Sequence, residues 1–220
     1  MDAYISLDLL FRWLHVLFGV TWIGLLYYFN FVQTEYFKEA EPSAKADAVQ
    51  KLAPRALWWF RWGAMFTFIT GLALLHFTMQ RGLNGFMIIG AVMGTLMFLN
   101  VWLIIWPNQK IVCGIKPGDA AKAAPKAGLA SRTNTLFSAP MLIGMIGSYH
   151  GSGNAAAAEL GGAAAGGFSF SLGLWICLGI IALLELNAIF GKTGPMTTVV
   201  GVVHSSIALA AVMLGLLQFV

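Results

Sequence analysis

The four histidines of this sequence are its first candidates for chemistry: His15, His76, His150 and His204. Each lies within or at the end of a long apolar run, where an ionisable side chain is costly and is a functional candidate by default. A neutral imidazole is a common metal ligand, and two imidazoles can hold a haem iron from opposite faces. The histidines therefore predict haem or metal ligation, with b-type haem favoured and copper as the alternative.

Small residues accompany these histidines. Gly19 lies one helical turn beyond His15, and Ala208 lies one turn after His204. Such small side chains leave a slot that a flat macrocycle can fill, but they equally allow two membrane helices to pack closely. A membrane histidine also often serves only as a hydrogen-bond donor between helices, so both interpretations stay open.

Two arginines lie close to these positions in the sequence. Arg12 precedes His15 by three residues, and Arg81 follows the second apolar run. A guanidinium binds a carboxylate or a phosphate through paired hydrogen bonds. Both arginines are therefore candidates to bind haem propionates at the outer surface, and lipid phosphate is an equally good partner.

Three further polar residues lie inside apolar runs. Glu185 is in the fifth run, near its predicted cytoplasmic end, where it could relay protons, pair with a basic residue or extend to the membrane interface. Asn100 and Asn187 are expected to form hydrogen bonds between helices.

The composition predicts a membrane protein. Of the 220 residues, 59% are hydrophobic and 10% are charged, and the mean hydropathy is +0.78. Soluble domains carry about 25% charged residues, so this chain could not cover a water-facing surface. We expect an all-α, polytopic transmembrane helix bundle that forms a single domain over residues 1–220. The net charge of +4 does not indicate a nucleic-acid partner, because the basic residues cluster in loops.

The apolar runs predict about six spans. They cover residues 7–32, 57–79, 85–106, 134–149, 168–190 and 196–219. A helix needs roughly 20 apolar residues to cross a bilayer, and the fourth run is the weakest because it is short and contains Pro140. Polar neighbours inside the bundle could complete that helix. Two segments rich in small residues, 117–128 and 151–167, are expected to be flexible loops.

The distribution of basic residues predicts the orientation. With six spans, one side of the membrane carries Lys38, Lys45, Lys51, Arg55, Lys110, Lys116, Lys122, Lys126, Arg132 and Lys192. That side should be cytoplasmic, so both termini should lie outside. His15, His76 and His150 then fall in the outer half of the bilayer. His204, about nine residues into the sixth run, is expected roughly 13 Å deep.

Several motifs occur in an order typical of one protein family. They are Arg12-Trp-Leu-His15, Gly19-Val-Thr-Trp22-Ile-Gly24, Tyr28-Phe-Asn-Phe-Val-Gln33, Ala56-Leu-Trp-Trp-Phe-Arg-Trp-Gly63, Asn100-Val-Trp-Leu-Ile-Ile-Trp-Pro-Asn-Gln109 and Ser131-Arg-Thr-Asn-Thr-Leu-Phe-Ser-Ala-Pro-Met141. Together they resemble the N-terminal membrane domain of the bacterial urate oxidase, or urate hydroxylase, family. The resemblance covers most of residues 10–150, and His15 and His150 fall within the stretches that it matches.

The resemblance implies a redox role. In that family a cytochrome c domain follows the membrane domain, which implies electron transfer at the outer face of the bacterial inner membrane. The two cysteines here, Cys113 and Cys177, form no CXXCH motif, so covalent c-type haem attachment is not expected within the chain. A separate cytochrome c, or other subunits of a membrane complex, would then be the partner.

Three functions are compatible with these observations. The first is a membrane redox subunit that binds b-type haem and transfers electrons toward the outer face. The second is a cofactor-free structural or accessory subunit of a larger membrane enzyme. The third is a copper- or porphyrin-handling membrane protein, because the entry into the first span is distantly similar to such proteins. No Ser/His/Asp arrangement, phosphate loop or paired-carboxylate site occurs, so only the resemblance implies a part in an oxidoreductase.

Overall fold

The computed structural model describes residues 3–79, 83–150 and 171–220, and these residues are helical almost throughout. The α-helices are α1 (Ala3–Tyr27), α2 (Thr34–Glu39), α3 (Pro42–Asp47), α4 (Ala53–Met79), α5 (Gly85–Leu99), α6 (Trp106–Val112), α7 (Ala120–His150), α8 (Leu172–Phe190) and α9 (Val199–Phe219). The predicted flexible loop 151–167 lies outside the described residues. The all-α class is confirmed for the part of the chain that is described.

Three π-helical segments join shorter helices into longer ones. Tyr28–Gln33 links α1 to α2, Ala48–Leu52 links α3 to α4, and Asn100–Ile105 links α5 to α6. The joined helices contribute membrane-length stretches of 33, 38 and 28 residues. Together with α8 and α9, they give five described helices that are long and apolar enough to cross a membrane. The first three are longer than the predicted spans, because these helices continue beyond the apolar runs.

Helices α1 and α4 pack antiparallel through aromatic pairs. The ring centroids of Phe11 and Phe77 lie 6.1 Å apart, and those of Phe29 and Phe60 lie 5.5 Å apart. Residue numbers therefore rise along α1 while they fall along α4. Large rings meeting at this distance contribute packing energy without any polar group that lipid would have to solvate.

Helix α7 lies inside the bundle. Residues 132–138 are all buried, which requires neighbours on every side of the helix, because a surface helix buries only one stripe. Helices α5 and α9 pack along α7, and α1, α6 and α8 also contact it. Protein surrounds this part of the helix, which explains why it can be less apolar than the five membrane-length helices.

Helix α5 runs antiparallel to α7. Near one end of the pair, Asn84 Nδ2 donates to the carbonyl oxygen of Ser148 at 3.0 Å. Near the other, Asn134 Nδ2 donates to the carbonyl oxygen of Met97 at 2.9 Å. The second half of α7 therefore runs alongside a helix of membrane-spanning length.

Pro140 interrupts the hydrogen bonding of α7 without breaking the helix. A proline has no backbone N–H, so the carbonyl oxygen of Leu136, four residues earlier, loses its usual helical donor. The hydroxyl of Ser206 in α9 lies 2.8 Å from that oxygen and 3.2 Å from the carbonyl oxygen of Thr135. A polar neighbour thus completes the helix, in the way that the sequence predicted for this run.

The prediction of a flexible loop over 117–128 is wrong for most of that range, because α7 begins at Ala120. Asp119 precedes the helix, and its carboxylate accepts hydrogen bonds from backbone N–H groups of the first turn at 3.0 and 3.3 Å. Alanine is the best helix former, and Ala123 and Ala127 are buried. The alanines that suggested a linker are the residues that let this helix pack.

Candidate functional site

His15 lies between α1 and α4, where two groups of α4 hold its ring. Its Nδ1 is 2.9 Å from the carbonyl oxygen of Thr67 and 3.1 Å from Oγ1 of Thr70. A carbonyl oxygen can only accept, so Nδ1 carries the proton and donates it. The Thr70 hydroxyl donates to the carbonyl oxygen of Phe66 at 2.7 Å, so it also accepts from the ring. In the neutral ring the lone pair is therefore on Nε2.

Gly71 brings α4 close to this ring. A Cβ atom built on Gly71 would lie 3.1 Å from Cε1 of His15, which is tighter than most real contacts. The same construction at Gly19 gives 3.9 Å to a methyl group of Thr67, which is ordinary packing. Gly71, rather than the Gly19 singled out from the sequence, is therefore the small residue that accommodates the imidazole.

Two of the other predicted histidines, His76 and His204, are exposed. His204 is exposed on α9, and its Nδ1 lies 2.8 Å from a carbonyl oxygen one turn earlier. Ser206 faces α7, and two residues rotate a helix by about 200°, so His204 faces away from its own bundle. His76 is exposed near the end of α4. His150 is the last residue of α7, and its side chain lies outside the described residues.

Arg12 forms an ion pair on its own helix. Its Nε lies 3.1 Å from Oδ2 of Asp8, one turn earlier, and the Asp8 side chain is largely buried. A propionate or phosphate bound to Arg12 would therefore have to share the guanidinium with Asp8. Arg81, the other predicted anion ligand, lies outside the described residues.

Metal-ligand side chains do not cluster in the described ranges. Within residues 3–79, 83–150 and 171–220, no group of three or more His, Cys, Asp or Glu side chains is placed to hold a metal ion. Haem needs only one or two axial ligands, so this finding does not decide haem ligation. Ligation of haem or copper by His15, His76, His150 or His204 stays a prediction.

A chain of amides and one carboxylate forms a second candidate site beside α7. Asn100 Nδ2 donates to Oδ1 of Asn134 at 3.0 Å and to Oε2 of Glu185 at 3.1 Å. Asn134 in turn donates to the backbone of α5. Asn100 is 1% exposed and Asn134 is fully buried, so these bonds form where water does not compete. The chain connects three helices, α5 with its π-helical extension, α7 and α8.

Other polar contacts join α1 to α7. The Tyr27 hydroxyl lies 2.8 Å from Oγ of Ser138, and Asn30 Nδ2 donates to Oγ of Ser131 at 2.8 Å. Asn30 lies in the first π-helical segment, and Asn100 begins the third. Both asparagines therefore reach α7 from a locally widened helix turn, a feature that occurs frequently at functional sites.

The sequence identified only part of this polar site. Asn100 does link helices as predicted, whereas Asn187 bonds the backbone of Lys192 beyond the end of α8. Arg132, counted among the cytoplasmic loop charges, is 6% exposed inside α7, so that assignment was wrong. The residues missed were Asn30, Ser131, Thr133, Asn134, Thr135, Ser138 and Ser206. A dense polar run within a very apolar chain was the pattern that could have revealed most of them.

Five membrane-length apolar helices around a polar central helix define a polytopic α-helical membrane protein. The model of a family described as urate oxidase N-terminal matches residues 76–159. The resemblance predicted from the motifs is thereby confirmed over the matched residues. Comparisons with curated proteins and with solved structures give no match.

The family match bears unequally on the candidate residues. Asn100, Asn134 and His150 lie within residues 76–159, as do the last two of the motifs quoted above. His15 and Glu185 lie outside the matched segment. The amides beside α7 are therefore part of the segment that the family model matches, whereas His15 rests on its geometry and on the motif that contains it.

Proposed function

We propose that this chain is a membrane redox subunit that binds b-type haem through histidines and transfers electrons toward the outer face, to a cytochrome c. The observation that carries the proposal is the hydrogen bond from His15 Nδ1 to the backbone carbonyl of Thr67. Histidines that ligate metals almost always donate their other ring N–H to a carbonyl or carboxylate, which fixes the tautomer and orients the ring. The ring of His15 has this arrangement through contacts within the protein alone.

The proposal keeps the remaining histidines as further candidate ligands for haem. His204 shares the ring arrangement of His15, because its Nδ1 also lies against a backbone carbonyl, that of Val200. His76 and His150 are retained from the sequence. Arg12 is proposed as the partner of a haem propionate, in exchange for part of its contact with Asp8.

The test is an absorption spectrum of the full chain, purified in detergent from haem-replete cells, with a pyridine haemochrome assay. We expect a Soret band of b-type haem that His15→Ala removes. Thr67→Ala is the matched control and should keep the band, because the bond to His15 uses the backbone carbonyl. A colourless preparation contradicts the proposal, and bound copper without haem would favour the metal-handling alternative.

We also propose six crossings with both termini outside the bacterial inner membrane. This is supported by the antiparallel contact of α5 with α7 and by the completion of α7 at Pro140. In a Cys113→Ser, Cys177→Ala background, Lys116→Cys and Val220→Cys should react with an impermeant maleimide from opposite sides. Labelling of both positions from the same side would mean that α7 does not cross.

A cofactor-free accessory subunit is the second candidate. The observation that favours it is the polar face of α7, whose described side chains bond to neighbouring helices of the same chain. Such a bundle is held together without a prosthetic group. This reading predicts stable co-purification with other membrane subunits. It also predicts that His15→Ala changes assembly or thermal stability while no haem spectrum is present in either protein.

A further inference from the structure

Glu185 has surroundings that the haem proposal does not use. Its side chain is half-buried on α8, and its Oε2 receives a hydrogen bond from Asn100 at 3.1 Å. It borders a cleft of ≈ 340 Å³ between α5 and α8, whose other lining residues are Val92, Leu96, Leu178, Ile181, Ala182 and Leu186. Glu185 is thus the polar group of an otherwise aliphatic cleft.

No cation balances this carboxyl among the residues that the structure describes. Helix α5 and its π-helical extension contain no charged side chain. Helix α7 carries Lys122, Lys126 and Arg132, and none of them forms an ion pair with Glu185. On α9 the titratable side chain is His204, which faces away from the bundle. Pairing of Glu185 with a basic residue, one of the alternatives left open by the sequence, is therefore absent from the described ranges.

This arrangement favours a carboxyl that can change its protonation state. An unpaired carboxylate in an apolar cleft is costly, which favours the neutral acid. The amide of Asn100 opposes this, because a donated N–H stabilises the anion. The Asn134 side chain, bonded to both Asn100 and the α5 backbone, holds that amide in place. Burial favours the neutral acid and the Asn100 hydrogen bond favours the carboxylate. Both protonation states of Glu185 are therefore accessible.

We propose that Glu185 is a proton-binding site of the bundle. One carboxylate oxygen takes a proton from water, forming an O–H bond and a neutral acid, and releases the same proton when the bond breaks. Glu185 lies five residues before the end of α8, about 7.5 Å along the helix axis, so the distance to water is short. No electron transfer enters this exchange, and it stands independently of the proposed haem.

The first experiment is modification by dicyclohexylcarbodiimide, which reacts with protonated carboxyls in apolar surroundings. The full chain in liposomes is treated over a range of pH and mapped by mass spectrometry. We expect modification of Glu185 at low pH that falls about tenfold for each pH unit above its midpoint. Glu39 and Glu41, which are exposed, should stay unmodified, and Glu185→Gln should remove the label from this peptide.

The second experiment is infrared spectroscopy of the same liposomes. A carbonyl stretching band of a protonated carboxyl should appear at low pH and be lost in Glu185→Gln. Asn100→Leu should move that band to higher wavenumber because the carboxyl loses a donor. Asn108→Leu is the matched control, since Asn108 bonds only the Ile104 carbonyl of its own helical segment. Asn100→Ser replaces Asn100→Leu if the latter does not fold.

Two outcomes would overturn the proposal. If Glu185 is never modified and no band depends on it, the carboxyl is permanently ionised. If modification and band are the same at every accessible pH, Glu185 is a structural acid that exchanges no proton.

Discussion

The α1–α4 pair and the surroundings of α7 are held together by opposite means. Helices α1 and α4 meet through aromatic rings. In the first membrane-length helix, only 11% of the most apolar stretch is buried. Helix α7 is buried on every side over residues 132–138 and meets its neighbours through amides and hydroxyls. Apolar rings can face lipid at no cost, whereas each of these polar groups needs a partner in the bundle. The more polar helix is therefore the more deeply buried one.

His15 is a polar side chain in the first region, on a mostly apolar pair of helices, and the backbone of α4 supplies a partner. In the α7 region, several side chains bond one another across helices. We therefore expect substitutions around α7 to affect stability and substitutions around His15 to affect ligand binding.

The largest effect is expected where the backbones of α5 and α7 pack directly against each other. A Cβ atom on Gly144 would lie 2.8 Å from backbone atoms of Gly90, so Gly144→Val must push α7 away from α5. We expect a loss of about 3 kcal/mol or more, with little folded protein recovered in detergent. Gly179→Val is the matched control, because nothing lies within 4 Å of its Cβ position. Equal thermal stability of the two variants, measured by size-exclusion chromatography after heating, would contradict the close packing.

Asn134→Leu should have the next largest effect. It removes the acceptor of Asn100 and the donor to Met97, both inside the bundle. Loss of buried hydrogen bonds typically costs roughly 1–3 kcal/mol. Asn108→Leu, at a half-buried position, should change thermal stability by less than about 0.5 kcal/mol. If both variants unfold at the same temperature, the α7 amides are not the stabilising contact that the geometry indicates.

Ser206→Ala isolates the contact that completes α7 at Pro140. The carbonyl oxygen of Leu136 loses the hydroxyl donor that replaces its missing helical partner. We expect a destabilisation of about 1 kcal/mol, in line with interhelical hydrogen bonds in membranes. Ser205→Ala changes the same atoms one residue earlier and should be near neutral. A double variant with Pro140→Ala should recover part of the loss, because alanine restores the N–H.

The reactivity of the Cys113 thiol tests whether the residue that follows α6 is buried. Burial raises the pKa of the Cys113 thiol, and only the thiolate reacts readily with maleimide. Alkylation at neutral pH should therefore be slower than in the unfolded chain and should accelerate as pH rises toward the raised pKa. Because the folded state favours the neutral thiol, the contribution of Cys113 to the free energy of unfolding is lost as pH rises through the raised pKa. Equal rates in folded and unfolded protein would contradict the burial.

The smallest effect on stability is expected for a substitution between α1 and α4. Gly71→Ala adds a Cβ atom 3.1 Å from Cε1 of His15, which must shift the ring slightly. Alanine also favours the helix over glycine, so stability should change by less than about 1 kcal/mol. We expect the Soret band of the haem-loaded protein to shift or weaken. Gly19→Ala, where space is ordinary, should leave the spectrum unchanged, and a shift in both variants would point to a general loosening.

The apolar runs were sufficient to predict helices and their order, because lipid selects helices by hydropathy. They were insufficient for α7, whose burial depends on neighbours that are distant in sequence. The small residues over 117–128 were mistaken for a linker, and Arg132 was mistaken for a loop residue. Thr67 and Thr70 could not be assigned to His15 from sequence, because the contact depends on how α1 rotates against α4. The helices could thus be predicted from local sequence, whereas the site depends on contacts between residues that are distant in sequence.

The central position of α7 also constrains how the protein is made. A helix with polar residues on every side is poorly suited to leave the insertion machinery and enter lipid by itself. Its shielding partners are synthesised both before it, as α5, and after it, as α9. The donor for Leu136 is on α9, so the hydrogen bonding of α7 is incomplete until that helix arrives. The order of synthesis therefore requires that α7 reach its complete hydrogen bonding only after α9, the last described helix, joins the bundle.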